Sequence, residues 1–194
     1  MKFAPSILLI STAFLNRTIA DLNQLFSHKL QRELDLIHPA MLLTYFALDA
    51  KFPKADKDAV QALLIYDEMS AQIPQSCPAD IEGELNNMSF RCTVGEVTIY
   101  AFRPEGMSEP DEFLLESLRY VAASEEVKRI AVAVDTQDSE KRLALYEQLA
   151  SCSSDKEITL FDMDPNPENL PAGIQHRILA YPIMKALGIR GNEV

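Results

Sequence analysis

Short apolar runs alternate with helical patterns along this chain. The runs are Ser6 to Ile10, Ala62 to Tyr66, Ile130 to Val134 and Ile158 to Phe161. Runs of this length that are apolar at successive positions are typical of parallel strands covered by helices on both faces. We therefore predict four buried parallel strands.

Helical spacing of apolar residues separates the first two strands. A helix is predicted from about Leu15 to Leu30, and a second one, beginning at Pro39, is apolar nearly all round. A helix of that kind is buried on more than one side. A short helix from Ala79 to Leu85 and a hairpin of Ser89 to Thr93 and Val97 to Phe102 follow.

The second half of the chain continues with helices. Ser108 and Asp111 form a capping-box-like start to a helix that carries Leu114, Leu115, Leu118 and Val121. The next helix is predicted from Ser139 to Ala150. The last is a very apolar helix from Ile178 to Leu187, which we expect to bend at Pro182 and to end at Gly188.

This order of elements predicts an α/β fold. A three-layer sandwich with a mostly parallel central sheet accommodates it, because right-handed crossovers place helices on both faces. A chain of 194 residues is expected to form one domain over residues 1–194. Residues 164–194, which begin with a proline-rich linker, are expected to be a C-terminal extension packed on it.

The composition is ordinary for a globular protein, but the charge is not balanced. The chain has 29 acids and 18 bases, a net charge of −11. This disfavours a long phosphate-binding groove, which needs a base for each phosphate contact. The bases Arg17, His28, Lys29 and Arg32 could form a local patch, although the solvated face of an amphipathic helix is the commoner explanation.

The compartment is inferred from the cysteines and the apolar segments. Cys77, Cys92 and Cys152 are odd in number and widely spaced, which favours free thiols in a reducing compartment. No stretch approaches the length of about 20 apolar residues that spans a bilayer. Pro5 interrupts the apolar N-terminal run, which disfavours a signal peptide. We expect a cytoplasmic protein that does not bind membranes.

Polar residues follow two of the predicted strands. Asp135 and Asp138 come after one strand, and Ser11 and Thr12 after another. In open α/β sheets, ligands bind beyond the carboxyl ends of the strands. Asp135 and Asp138 are therefore candidate metal ligands, and Asp111 could complete an acidic pocket. The alternative is structural: Asp138 caps the next helix, Asp135 forms an Asx-type turn, and Asp111 complements a helix dipole.

The order of elements, with these acids, resembles the NYN-type ribonucleases of the PIN-like nuclease superfamily. The stretch LISTAFLN (Leu9 to Asn16) corresponds to their first strand and its Asp-Gly-x-Asn turn. The segment GMSEPDEFLLESL supplies Asp111, and AVAVDTQD supplies Asp135 and Asp138. The likeness spans roughly Ser6 to Met163. The segments LLTYFALDA and LAYPIMKALGI are also similar to an uncharacterised family from Bacteroidota.

The resemblance implies a carboxylate site for Mg²⁺ or Mn²⁺, but this chain departs from the pattern. Ser11 stands where the family has its first Asp, and Phe14 stands at the Asn position. The last motif is spaced D-x-x-D. A hydroxyl brings no negative charge to a divalent ion, which prefers anionic oxygen ligands. The resemblance therefore implies a degenerate metal site.

We expect a non-catalytic PIN/NYN-like domain without a cofactor, which acts through a protein partner or as a homodimer. A dimer could use an apolar surplus for which core packing is the simpler explanation: Met41, Leu43, Tyr45, Ile183, Met184 and Leu187. The rival hypothesis is an Mg- or Mn-dependent ribonuclease, with RNA as its partner. It would use Asp111, Asp135 and Asp138, with Asp162 or Asp164 as further ligands. A receiver- or flavodoxin-like binding module is the third hypothesis.

Overall fold

Seven strands form one central sheet in the computed structural model, which describes residues 2–54, 59–104, 106, 109–152 and 155–194. In chain order they are β1 (Ser6–Ser11), β2 (Ala59–Ile65), β3 (Ser89–Cys92), β4 (Gly95–Phe102), β5 (Arg129–Ala133), β6 (Glu157–Asp162) and β7 (Gln175–Ile178). Their order in the sheet is β3-β4-β2-β1-β5-β6-β7.

The sheet is parallel except for β3, which pairs antiparallel with β4. Strand β1 lies at the centre, where Ile10 is in register with Leu64 of β2 and Ala133 of β5. All six residues of β1 are buried, as a strand between two helical layers requires. The four predicted parallel strands are confirmed as β1, β2, β5 and β6.

Within the residues that the structure describes, five α-helices cover the sheet. They are α1 (Thr12–Leu30), α2 (Pro39–Asp49), α3 (Pro110–Ala123), α4 (Ser139–Ala150) and α5 (Ala180–Ala186). Helices α1, α2 and α5 pack on one face, and α3 and α4 on the other. The predicted α/β class, with a mostly parallel sheet flanked by helices, is confirmed.

Helix α2 is buried on several sides, as its apolar sequence predicts. Leu42, Leu43 and Phe46 are all buried, and the Phe46 ring lies 5.2 Å from that of Phe161 on β6. The helix is therefore held between the sheet and its helical neighbours, α5 in particular.

The predicted C-terminal helix from Ile178 to Leu187 is wrong in its first part. Residues Gln175–Ile178 form β7, which pairs parallel with β6, and α5 begins only at Ala180. Pro182 therefore lies in the first turn, where its missing backbone N–H removes no hydrogen bond within the helix. The helix does end before Gly188, as predicted.

Smaller differences concern element boundaries. Helix α1 begins at Thr12 rather than at Leu15, and the short helix predicted from Ala79 is a π-helix, Ile81–Leu85. The hairpin is confirmed, with a turn one residue shorter than expected. The predicted capping residue Ser108 lies outside the described residues.

Two further observations concern the surroundings of the protein. In the described part of the chain, no helix has both the length and the apolar character needed to cross a bilayer. The cysteines Cys77, Cys92 and Cys152 are all free, which agrees with the prediction of free thiols.

Candidate functional site

The sheet changes its direction of growth at β1. The chain adds β2 on one side of β1 and later adds β5 on the other. Helix α1 follows β1 on one face, whereas α4 follows β5 on the opposite face. Their first turns therefore diverge and leave a crevice at the carboxyl edge, where α/β proteins bind ligands.

The hydroxyls at the end of β1 serve the backbone. Ser11 Oγ accepts a hydrogen bond from Phe14 N at 3.5 Å and so caps α1. Thr12 Oγ1 lies 2.9 Å from Ile65 O and 3.0 Å from Ser70 Oγ. These contacts tie the start of α1 to the segment after β2, so both hydroxyls have structural partners.

Asp135, at the end of β5, is held from two directions. Its Oδ1 accepts from Gln137 N at 3.0 Å, which is an Asx-type turn. Its Oδ2 accepts from Arg17 Nη2 of α1 at 2.6 Å, an ion pair that spans the crevice. Arg17 was predicted to belong to a basic helix face, and no sequence signal linked it to Asp135.

Asp138 is the N-cap of α4. Its Oδ1 accepts from Glu140 N at 2.9 Å and from Lys141 N at 3.0 Å. These N–H groups, that of Lys141 first, lower the pKa of the Asp138 carboxyl because they stabilise its charged form. The carboxylate is therefore engaged by the helix that it begins.

Asp111 lies in the first turn of α3 and pairs with α4. Lys141 Nζ donates to its Oδ2, and this contact raises the pKa of the Lys141 ammonium. Asp111 and Asp135 line one cavity of about 270 Å³, whereas Asp138 is not part of its lining. The other lining residues are Glu109, Glu112, Leu115, Val134, Glu140, Lys141, Ala144 and Leu145.

The structure brings two of the three predicted metal ligands to one cavity without forming a ligand cluster. Among the described residues, no group of three or more histidine, cysteine or acidic side chains has the geometry to hold a metal ion. Asp164, named as a further ligand of the rival site, lines a second cavity of about 310 Å³ together with Asp135 and Arg142.

Asp162, the other acid named as a ligand of the rival metal site, belongs to a buried cluster that the sequence did not predict. Its side chain is 0% exposed. Oδ2 accepts from Thr136 Oγ1 at 2.9 Å, and Oδ1 lies 2.7 Å from His176 Nε2 and 2.9 Å from Asp164 N. His176 could not be placed next to Asp162 from the sequence, because no strand was predicted between the proline-rich linker and the helix expected from Ile178.

Tyr146 of α4 adds an unusual group near this cluster. Its hydroxyl is buried and has no hydrogen-bond partner among the described residues. Burial raises the pKa of the Tyr146 hydroxyl, and the charge of Asp162 contributes in the same direction. The hydroxyl therefore stays protonated at neutral pH.

Fold and site together define a doubly wound α/β protein with a polar crevice, in which Asp111, Asp135 and Asp138 are engaged by the protein itself. The chain belongs to DUF6621, a family of unknown function, and the match covers residues 1–194. This agrees with the predicted membership of an uncharacterised family and assigns no activity. No curated protein and no solved structure matches the chain.

Proposed function

We propose that this protein is a non-catalytic, cytoplasmic PIN/NYN-like domain that acts by binding a partner, either a second copy or another protein. One observation carries the proposal. The three carboxylates expected to be metal ligands each have a partner within the chain: Arg17 for Asp135, Lys141 for Asp111, and helix N–H groups for Asp138.

The chemistry of divalent ions explains why these partners matter. Mg²⁺ requires oxygen ligands in near-octahedral geometry, with carboxylate lone pairs directed at the ion. The Arg17 guanidinium and the Lys141 ammonium bring positive charge to the same oxygens. Like charges repel, so both side chains lower the affinity of the crevice for a cation. Ser11 adds no compensating negative charge.

One observation favours a second candidate function, a metal-dependent ribonuclease. Asp111 and Asp135 share a cavity with the acids Glu109, Glu112 and Glu140. If Arg17 and Lys141 moved aside, Mg²⁺ or Mn²⁺ could bind there with Asp138 close by along the chain. Such an ion would lower the pKa of a bound water and stabilise a phosphoryl transition state.

Cleavage of single-stranded RNA separates the two functions. We expect the protein to produce no cleavage above background in Mg²⁺ or Mn²⁺, and we expect Asp135→Asn to leave that background unchanged. Gel analysis of a labelled RNA, with a calorimetric Mn²⁺ titration in parallel, measures both turnover and metal binding.

Asp21→Asn is the matched control, because Asp21 is an exposed carboxylate on α1. Turnover that requires the metal, is lost in Asp135→Asn and persists in Asp21→Asn would refute the non-catalytic proposal and support the ribonuclease. Thermal melting of both variants establishes that any loss does not come from unfolding.

A further inference from the structure

The two faces of the sheet are covered to different extents. Helix α3 packs on β1 and β2 and reaches the end of β4, where the Phe102 and Phe113 rings lie 6.5 Å apart. Farther along the same face, Ser89, Arg91 and Glu96 are exposed on β3 and β4. This side of the sheet is therefore partly open beside α3.

An apolar groove lies where α3 meets this open area. It has a volume of about 220 Å³, and its lining includes Phe3, Leu63, Phe102, Phe113, Tyr120 and Val121. We call it the α3 groove. Tyr120 is 64% exposed, so aromatic surface faces solvent here. Exposed aromatic patches of this kind mark interaction sites more often than scattered single residues do.

The charges beside the α3 groove restrict what can cover it. Charged residues of both signs adjoin its lining positions in the sequence or pair with residues that do: the bases Lys2, Arg103 and Arg119, and the acids Glu68, Glu112, Glu116 and Glu126. Lys2 pairs with Glu126 at 3.4 Å, and Arg103 pairs with Glu68. The Arg119 guanidinium lies over the Tyr120 ring, 5.5 Å from its centroid.

This mixture of three bases and four acids contrasts with the net charge of −11 for the whole chain. Two copies that approached through most of their surfaces would bring acids together, and like charges oppose association. At the α3 groove both signs are present, so the surface is electrostatically compatible with itself. A strongly basic protein or a nucleic acid would meet charges of both signs at this surface and would gain little net electrostatic attraction.

The other apolar surplus is largely used within the fold. Leu43, Ile183 and Leu187 are buried in the core, which confirms core packing for these residues. Met41 and Tyr181 remain exposed on α2 and α5, at 47% and 54%. Tyr181 therefore provides an exposed control position away from the α3 groove.

We propose that the α3 groove is the surface through which two copies of this chain associate, with α3 of each copy lying across the groove of the other about a two-fold axis. The inference rests on the proposed function, in which the domain acts by binding, and it names the surface and the partner. Closed two-fold dimers use one self-complementary patch. Aromatic residues and Arg are the types enriched at the centres of such interfaces.

Sedimentation equilibrium of the full chain tests the proposal. We expect a reversible dimer for the wild type, a dissociation constant raised at least about tenfold by Tyr120→Glu, as for a buried interface anchor, and no change for Tyr181→Glu. Both tyrosines are exposed in the single chain, so neither substitution removes a core contact. A wild type that stays monomeric, or a dimer weakened as much by Tyr181→Glu, would overturn the proposal.

A second measurement on the wild type avoids dependence on any variant. Hydrogen exchange at low and high protein concentration should show concentration-dependent protection in Pro110–Ala123 and near Phe102. Protection at α2 and α5 instead would contradict the inference. The RNA assay tests the non-catalytic function separately. A protein that stays monomeric and does not cleave RNA would contradict the dimer and leave the non-catalytic function intact. A dimer that cleaves RNA would contradict the non-catalytic function and leave the dimer intact.

Discussion

At the scale of single residues, the acids near the carboxyl edge differ in burial and therefore in their roles. Asp111 and Asp135 pair with bases while their side chains are 39% and 33% exposed. Ion pairs this exposed contribute at most about 1 kcal/mol to stability, so their effect is mainly on the charge of the crevice. Asp162 is fully buried, and an unpaired carboxylate there would be costly. Its hydrogen bonds are a requirement of the fold.

The Thr136 hydroxyl provides a test of that requirement. Thr136→Val keeps the shape of the side chain and removes the donor to Asp162 Oδ2. We expect a loss of about 1–3 kcal/mol in the free energy of unfolding, because a buried acceptor is left without its partner. Urea denaturation measures the change.

Thr98→Val is the matched control, since the Thr98 hydroxyl shares a hydrogen bond with the exposed Ser89 where β4 pairs with β3. It should change stability by less than about 0.5 kcal/mol. Equal effects of the two substitutions would mean that the Asp162 cluster has no special role in stability.

At the scale of elements, burial decided which strands could be predicted. Strands β1, β2, β5 and β6 lie inside the sheet and read as apolar runs. Strand β7 is an edge strand with the sequence QHRI, and all four residues are half-buried. A short polar strand paired on one side has no apolar run or clear alternation, so its pattern is not distinguishable from a loop.

The end of α5 was predicted correctly because it depends on one residue. Gly188 has φ +70°, and a Cβ at this position would collide with the Asp35 carboxyl group. We expect Gly188→Ala to lower the free energy of unfolding by about 1–3 kcal/mol through backbone strain. Chemical denaturation gives the value.

Gly191→Ala is its control, because a Cβ there would meet nothing within 4 Å. This substitution should be nearly neutral. A neutral result at Gly188 as well would show that the helix end tolerates a side chain and that the left-handed conformation is not needed.

At the scale of the whole molecule, the C-terminal segment is part of the architecture. Residues 164–194 contain β7, which completes one edge of the sheet, and α5, which packs on α1 and α2. Leu179, Ile183 and Leu187 are 0% exposed. We propose that the chain is a single cooperative domain. Residues 164–194 contribute buried side chains to its core in addition to packing on its surface.

Truncation tests this view. A chain that ends at Met163 would expose the apolar surface of α2 and the edge of β6, so we expect it to lose the cooperative thermal transition. Circular dichroism during heating measures it. A chain that ends at Gly191 keeps β7 and α5 and should retain the transition. If the shorter chain also unfolded cooperatively at a similar temperature, the segment would be a dispensable extension.

The sequence by itself determined the α/β class, the four central strands, most helix positions and the acidic surface charge. Burial on both faces and helical periodicity are local properties, so a single chain displays them. Tertiary structure alone decided which side chains meet. Arg17 and Asp135 are 118 residues apart, and His176 reaches Asp162 through a strand that the pattern did not show. Such pairings follow from strand order, and strand order depends on how the elements pack together in three dimensions.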